Sequence, residues 1–246
     1  MFQTILSWLN NLENADQEPE GKLIFLRSSK IDIPSTLRVV GISNGVIRKQ
    51  ANIFAKELKN LPIKDIYSLC TKLWCESNLF EAQLISAVIL GRFKKNFDET
   101  IWKIIDSEWI DHVDYWASSD HLSMDILSYF PLSLEQYHSK LHTWSLSENF
   151  WRRRLSLTAF IKPIRKEAKL VPYLLKNMDS SLKDKNYYVR KAIPWMLREA
   201  SKSDPEQIHR FICKKINFLN KTEMKEASKL LSDGQKHEIY NLFDQK

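Results

Sequence analysis

Apolar residues recur with helical spacing through almost the whole chain, and this periodicity limits the fold more than any other feature of the sequence. Val46, Ile47, Phe54 and Leu58, for example, fit one face of a helix. Most periodic stretches run for about 11–17 residues and are separated by breaks of about two to five residues, which is typical of antiparallel helical hairpins. With only 5 glycines and 8 prolines in 246 residues, glycine-rich phosphate loops and many-turned β-sandwiches fit poorly. The sequence therefore predicts an all-α fold.

The number of helical stretches favours a repeat architecture. About six helical pairs of roughly 40 residues each would fill the chain, which matches an α-solenoid of HEAT-like repeats. Breaks fall at residues 60–62, 130–131 and 203–205, and Asp204 is a predicted N-cap directly before Pro205. No linker is long enough to divide the chain, so we predict a single HEAT-like repeat domain over residues 1–246. The concave face of such a solenoid is where extended partners usually bind.

Positive charge is concentrated in one segment. The formal net charge is +7, but residues 151–202 hold 14 Lys and Arg against 4 Asp and Glu, a charge of +10. Residues 1–150 carry −4 and residues 203–246 carry +1. A face that binds a polyanion would produce this segregation, and so would a solvated, lysine-rich helical region. An anionic membrane surface is a third interpretation, although no strongly amphipathic basic helix supports it.

Cysteine usage and hydropathy point to a cytoplasmic protein. The three cysteines, Cys70, Cys75 and Cys213, are an odd number without metal-like spacing, and they indicate buried or free thiols in a reducing compartment. No apolar run approaches the roughly 18 residues needed to cross a bilayer, and residues 1–12 lack the features of a secretory signal. The sequence also lacks metal-binding Cys/His spacings, nucleotide-binding loops and nucleophile elbows, so no metal, cofactor or membrane partner is expected.

The predicted helix around residues 187–198 carries the first candidate functional residue. Its core stripe contains Val189, Ile193, Met196 and Ala200. Trp195 points well away from that stripe and shares a face with Tyr188, Lys191 and Arg198. Aromatic rings interleaved with cations suit a nucleic-acid backbone and its sugars. The alternative is a tryptophan packed against the neighbouring repeat.

Arg154 is the second candidate, because it falls in line with apolar positions of its predicted helix. Its neighbours on that face are Leu157, Thr158 and Ile161. A guanidinium group held among apolar side chains is oriented, and an oriented guanidinium can donate two parallel hydrogen bonds to a phosphate. A structural arginine paired with an acidic residue of the next repeat explains the pattern equally well.

Asp114 is the third candidate. Together with Ile110, Val113 and Ala117 it has helical spacing, so it is predicted to interrupt an apolar stripe. A carboxylate at such a position must be paired, hydrogen-bonded or shifted in its pKa, since burial of a bare charge is costly. Functional carboxylates have these properties, and so do many structural ones. Asp111 is predicted to be an exposed helix charge.

Three segments in this order resemble the AlkD-like DNA alkylation repair proteins. The most specific stretch is Arg-Lys-Ala-Ile-Pro-Trp-Met-Leu-Arg-Glu at residues 190–199. A Trp-x-x-Arg pattern is found at Trp151 to Arg154, and a Trp-Asp-x-Val-Asp-like pattern is found at residues 110–114 as Ile-Asp-His-Val-Asp. The resemblance covers most of the chain, from about residue 41 to residue 205.

This resemblance implies a HEAT-like DNA glycosylase, a hydrolase that excises cationic N3- or N7-alkylated purines from duplex DNA without flipping the base into a pocket. It makes Asp114 the catalytic carboxylate, Arg154 the arginine that contacts phosphate, and Trp195 an aromatic wall beside the lesion's sugar. It implies alkylated duplex DNA as the partner, with no cofactor and no obligate protein partner. The expected nucleic-acid contacts are Trp109, Ile110, Arg153, Tyr188, Arg190, Lys191 and Arg198.

The chain departs from the family pattern at two positions. Active members carry a tryptophan four residues before the catalytic aspartate, where this chain has Ile110, and Pro194 replaces a small residue. Trp109 lies one residue earlier, which rotates a side chain on a helix by about 100°. Two other functions therefore stay open at this point. They are a HEAT-like protein that binds duplex or distorted DNA without catalysis, and a HEAT-like scaffold for an acidic protein partner.

Overall fold

The computed structural model describes residues 1–13, 35–133 and 135–246, and it confirms the all-α class. Within these ranges the extended backbone is confined to short connections, one of which forms an isolated parallel bridge between Arg38 and Leu79. The described chain divides into two compact units, unit 1 over Met1–Ile126 and unit 2 over Leu127–Lys246. The repeat number and the single HEAT-like domain over residues 1–246 stay predictions. Every helix of the described ranges is too short or too polar to cross a lipid bilayer.

Unit 1 is built around one helix that is buried on all sides. Its helices are α1 (Phe2–Glu13), α2 (Asn44–Glu57), α3 (Ile63–Cys75), α4 (Phe80–Arg92), α5 (Glu99–Ser107) and α6 (Trp116–His121), with a short 3₁₀ helix at Trp109–His112 and a π-helical turn at Leu122–Ile126. Residues 81–90 of α4 are all buried, because α2 and α3 pack against it from different sides. A Cβ atom added to Gly91 would lie 2.5 Å from the backbone oxygen of Asp125, so the π-helical turn also approaches α4 closely.

Unit 2 contains the basic segment. Its helices are α7 (Phe130–Ser133), α8 (Gln136–Ser145), α9 (Phe150–Thr158), α10 (Val171–Ser181), α11 (Tyr187–Ala200), α12 (Pro205–Lys215), α13 (Lys221–Ala227) and α14 (Asp233–Asp244). The longest of them, α11, packs against α9 and α13, and Pro194 lies inside it. The predicted cap before Pro205 is confirmed, because the Asp204 side chain accepts a hydrogen bond from the Gln207 amide at 2.9 Å.

Candidate functional site

Asp114 lies in a connection between two helices and is held by hydrogen bonds from a distant segment. Its Oδ1 accepts from the Ser35 hydroxyl at 2.8 Å. Its Oδ2 accepts from the Thr36 amide at 2.7 Å and from the Thr36 hydroxyl at 2.8 Å. The side chain is half-buried. Three donors that approach from residues 35 and 36 therefore fix the orientation of a carboxylate that solvent still reaches.

The prediction that Asp114 interrupts the apolar stripe of a continuous helix is wrong. The 3₁₀ helix ends at His112, the backbone is extended at Val113 and Tyr115, and α6 begins only at Trp116. Regular helical spacing from Ile110 to Ala117 cannot survive this extended stretch. The carboxylate instead satisfies the backbone and hydroxyl groups of the 35–36 segment.

Aromatic side chains follow Asp114 directly and line a cleft of about 240 Å³. Tyr115 is buried, whereas the Trp116 indole is half-buried and packs on it with 5.4 Å between the ring centroids. Val39, Gly41 and Phe80 line the same cleft. Trp116 is a candidate residue that sequence reasoning missed, although two adjacent aromatic residues directly after the aspartate were the available signal.

Trp109 and Ile110 belong to the core of unit 1, where both side chains are fully buried. The Trp109 ring stacks on that of Trp74 with centroids 4.7 Å apart, and its Nε1 donates to the Thr71 hydroxyl at 3.0 Å. Neither side chain can reach a nucleic acid, so the prediction of contact is wrong for both. The 3₁₀ geometry of this segment turns Trp109 toward α3, where its indole N–H finds an acceptor.

Unit 2 brings Arg154 and Trp195 together, as neighbours on α9 and α11. The Arg154 guanidinium is buried, donates to the Tyr188 carbonyl at 2.7 Å, and lies 5.9 Å from the centroid of the Trp195 ring. Trp195 is half-buried. This distance permits a cation–π contact, which fixes both the guanidinium and the indole.

Trp195 opens into a larger cleft of about 900 Å³, here called the lysine cleft, which is lined by Lys185, Tyr187, Lys191, Trp195 and Lys221 among others. The three lysines and Tyr187 are exposed. The Lys191 ammonium lies 5.4 Å from the centroid of the Tyr187 ring. The cleft therefore combines exposed positive charges and aromatic surfaces, the groups that contact phosphates and sugars, with Arg190 and its acidic partner Glu223. Sequence reasoning missed Lys185, Tyr187 and Lys221 as lining residues.

Three predicted nucleic-acid contacts are arginines whose guanidinium groups bind acceptors within unit 2. The pairs are Arg153 with Asp184, Arg190 with Glu223, and Arg198 with Glu199 and Glu226. In the first of them the Arg153 Nε lies 2.5 Å from Asp184 Oδ2, and its Nη1 donates to two backbone carbonyls. These guanidinium groups already bind protein, and contact of Arg153, Arg190 and Arg198 with DNA stays a prediction. These ion pairs join α9 to the connection before α11, and α11 to α13.

Tyr188 is also a structural residue. Its side chain is 4% exposed and stacks on Trp151 with ring centroids 5.0 Å apart. The prediction that Tyr188 contacts nucleic acid is therefore wrong, and the exposed aromatic ring at this turn is that of its neighbour Tyr187.

Glu199 forms ion pairs with several positively charged side chains of this segment. It is buried on α11 and pairs with Arg165, Arg198 and Lys202. Burial alone would raise the pKa of Glu199, but hydrogen bonds from Lys202 and Arg198 and the charge of Arg165 together lower it below its usual value. Part of the +10 charge of residues 151–202 is thus neutralised inside unit 2, while Lys185 and Lys191 remain exposed.

Comparisons with known proteins agree with the helical architecture. A sequence model of the family described as DNA alkylation repair enzyme matches residues 7–231. The chain is similar in structure to a predicted DNA alkylation repair enzyme from Enterococcus faecalis, with a TM-score of 0.68 and 18% sequence identity, over 88% of this chain and 97% of that one. None of the curated protein sequences compared with the chain matches it. At this identity the structural similarity shows a shared fold.

Proposed function

Because the chain belongs to the DNA alkylation repair enzyme family, we propose that it excises cationic N3- or N7-alkylated purines from duplex DNA. The proposed reaction is hydrolysis of the N-glycosidic bond with Asp114 as the catalytic carboxylate. The observation that carries it is the fixed, half-buried carboxylate of Asp114, which Ser35 and Thr36 orient. A carboxylate has about four acceptor positions, and three are used by the described residues.

Hydrolysis of this N-glycosidic bond needs little catalytic assistance beyond an oriented carboxylate. An alkylated cationic purine already leaves readily, and the remaining barrier is the positive charge that develops on the deoxyribose as the bond breaks. A pre-oriented carboxylate stabilises that charge, or it orients the water that attacks the sugar. The remaining acceptor position of Oδ1 is suited to this role, since Ser35 is its donor among the described residues.

DNA binding is supported by the lysine cleft and by the Arg154–Trp195 contact. In this proposal the buried Arg154 guanidinium positions the Trp195 indole, and its contact with a backbone phosphate stays a prediction. The exposed lysines supply non-specific attraction to phosphates. Trp195 provides an apolar, polarisable surface for a deoxyribose. Lys191 is the exposed member of the cationic contacts proposed from the sequence, and it lines this cleft.

The test is release of methylated purines from an alkylated duplex under single-turnover conditions. We expect Asp114→Asn to lower the rate by about 10²- to 10⁴-fold, the range typical of a lost acid–base or charge-stabilising group. Asp111→Asn is the matched control, because Asp111 is an exposed carboxylate three residues away, and it should leave the rate unchanged. Ser35→Ala should give an intermediate rate, since it removes one of the three orienting donors. Equal rates in wild type and Asp114→Asn would refute the catalytic assignment.

A second function, duplex DNA binding without excision, is favoured by one observation. Trp109 and Ile110 are both buried, so no aromatic ring stands where the family resemblance places one before the aspartate. This function predicts salt-dependent binding of the same alkylated duplex with no release of base. The same single-turnover assay, paired with a binding measurement on each variant, therefore separates the two functions.

A further inference from the structure

Three potential metal ligands converge at the packed surface of α12 and α14, outside the features used above. The Nε2 atom of His209 lies 3.4 Å from the Cys213 sulfur and 3.3 Å from Oε2 of Glu238. All three ligand atoms lie within 4.8 Å of one another. His209 and Cys213 are four residues apart on α12 and so occupy the same face of one helix, while Glu238 projects from α14.

We propose that His209, Cys213 and Glu238 form a binding site for a divalent transition-metal ion of the zinc class, which links α12 to α14. Glu238 lies beyond residues 7–231, so the family match does not include the complete ligand set. The sequence signal for this site is the four-residue spacing between His209 and Cys213. The spacings among the three cysteines give no such signal.

The distances fit the ion. For Zn–S near 2.3 Å and Zn–N or Zn–O near 2.0 Å, tetrahedral geometry gives a sulfur-to-nitrogen edge of about 3.5 Å and a nitrogen-to-oxygen edge of about 3.3 Å. The two measured edges, 3.4 and 3.3 Å, match these values. The third edge closes by a small movement of Glu238, whose side chain is 61% exposed, whereas His209 is held at 12% exposure.

The donor set selects the class of metal. A thiolate and an imidazole favour zinc and related transition metals, whereas calcium and magnesium prefer oxygen ligands. Three protein ligands leave a fourth tetrahedral position for water. α12 and α14 are already joined nearby, because the Gln235 side chain donates to Glu206 at 2.9 Å. The ion would therefore enter a site whose two supporting helices are already in place.

A thiol-activating relay is the competing explanation of a Cys, His and Glu group, and the geometry argues against it. In a relay the two imidazole nitrogens face different partners, one the nucleophile and the other the carboxylate. Here the same nitrogen faces both.

The experiment is a zinc titration of the full chain in competition with a chromophoric chelator. We expect one equivalent to bind, and Cys213→Ser, His209→Gln and Glu238→Gln each to weaken binding at least tenfold. Cys75→Ser and His237→Gln are the controls, since they change a half-buried thiol and an exposed imidazole outside the group, and both should bind like wild type. Cobalt should give a thiolate-to-metal absorption band in the wild type and not in Cys213→Ser.

Zinc should also stabilise the fold. At a hundredfold excess over its dissociation constant, zinc is expected to raise the unfolding midpoint by roughly 5–10 °C in wild type and not in the ligand variants. Failure of the wild type to bind one equivalent would overturn the proposal, as would equal affinities in wild type and Glu238→Gln. Because Glu238 is exposed, this variant is expected to fold even if Cys213→Ser does not. None of these readouts depends on base excision.

Discussion

Lys191 and its neighbour Arg190 show how differently adjacent cations of α11 are used. The Arg190 Nε donates to Glu223 at 2.9 Å and the group also binds backbone carbonyls, whereas the Lys191 ammonium is exposed above the Tyr187 ring. A charge that is free to move can follow a phosphate, and one fixed in an ion pair cannot do so without losing its partner.

Replacement of Lys191 should change the salt dependence of DNA binding. If Lys191→Gln removes one phosphate contact, the slope of log K against log salt concentration should fall in magnitude by about 0.9. Lys176→Gln is the matched control, because Lys176 is an exposed lysine on α10 outside the lysine cleft. Fluorescence anisotropy with a labelled duplex at several salt concentrations measures both slopes. Identical slopes for the two variants would exclude a phosphate contact by Lys191.

At the residue scale, helical periodicity predicted the direction in which a side chain points from its helix. It did not predict which residues of other helices that side chain contacts. It correctly directed Trp195 away from the core stripe of α11, and Trp195 is half-buried beside Arg154. It could not show that Trp151 from α9 covers Tyr188, or that Glu223 lies 33 residues away in position to bind Arg190. Such partners depend on how helices pack, which spacing along one helix does not contain.

At the scale of elements, the N-terminus of α11 depends on one capping side chain. Asn186 accepts hydrogen bonds from the amides of Tyr188 and Val189 at 2.9 and 3.4 Å. These amides lack acceptors inside the helix, so the cap satisfies donors that would otherwise be left unpaired. The same turn presents Tyr187 to the lysine cleft.

Asn186→Ala should lower the free energy of unfolding by about 1 kcal/mol. Asn186→Asp keeps an acceptor at the same position and should stay close to wild type. Urea titrations followed by circular dichroism measure both changes. A stability of Asn186→Ala equal to that of wild type would mean that water replaces the cap without cost. Weaker DNA binding by Asn186→Ala alone would further connect this turn with the lysine cleft.

The elements themselves were mostly predictable, and the exception lies next to Asp114. Apolar spacing gave the helical class, and the Asp204–Pro205 pair gave the start of α12. The spacing of Ile110, Val113 and Ala117 suggested one helix, but the extended backbone at Val113 ends it. The hydrogen bonds from Ser35 and Thr36 to Asp114 come from a segment 78 to 79 residues away. Local propensity contains no information about such a partner.

At the scale of the molecule, the charge pattern of the sequence located the basic segment, but it did not show which of its charges are paired with acids. The excess of +10 in residues 151–202 comes from arginines and lysines together. Folding uses these residues in two ways, because Arg153, Arg165, Arg190 and also Lys202 pair with acids, while Lys185 and Lys191 line the cleft. Charge counting alone cannot separate these uses, since Asp184 and Glu223 lie 31 and 33 residues away from the arginines that they bind.

Folding of unit 1 is expected to depend on pH through His121. This side chain is buried beside Arg48 and Asp125, with its Nδ1 3.2 Å from the Arg48 guanidinium. Burial first and the charge of Arg48 second lower its pKa from 6.5 to about 4, although Asp125 acts in the opposite direction. Protonation therefore favours the unfolded chain, where the imidazole keeps its ordinary pKa.

The sign of the effect follows from this lowered pKa. The contribution of His121 to stability is fully present above pH 6.5 and is lost as the pH falls from 6.5 toward 4, with a total change of about 3 kcal/mol. His121→Gln cannot titrate, so its unfolding free energy should fall less steeply than that of wild type over this interval. His237→Gln, at an exposed histidine of unit 2, should run parallel to wild type. Urea unfolding between pH 7.5 and 4.5 measures the three curves, and a His121→Gln curve parallel to wild type would show that the imidazole is not held neutral by the fold.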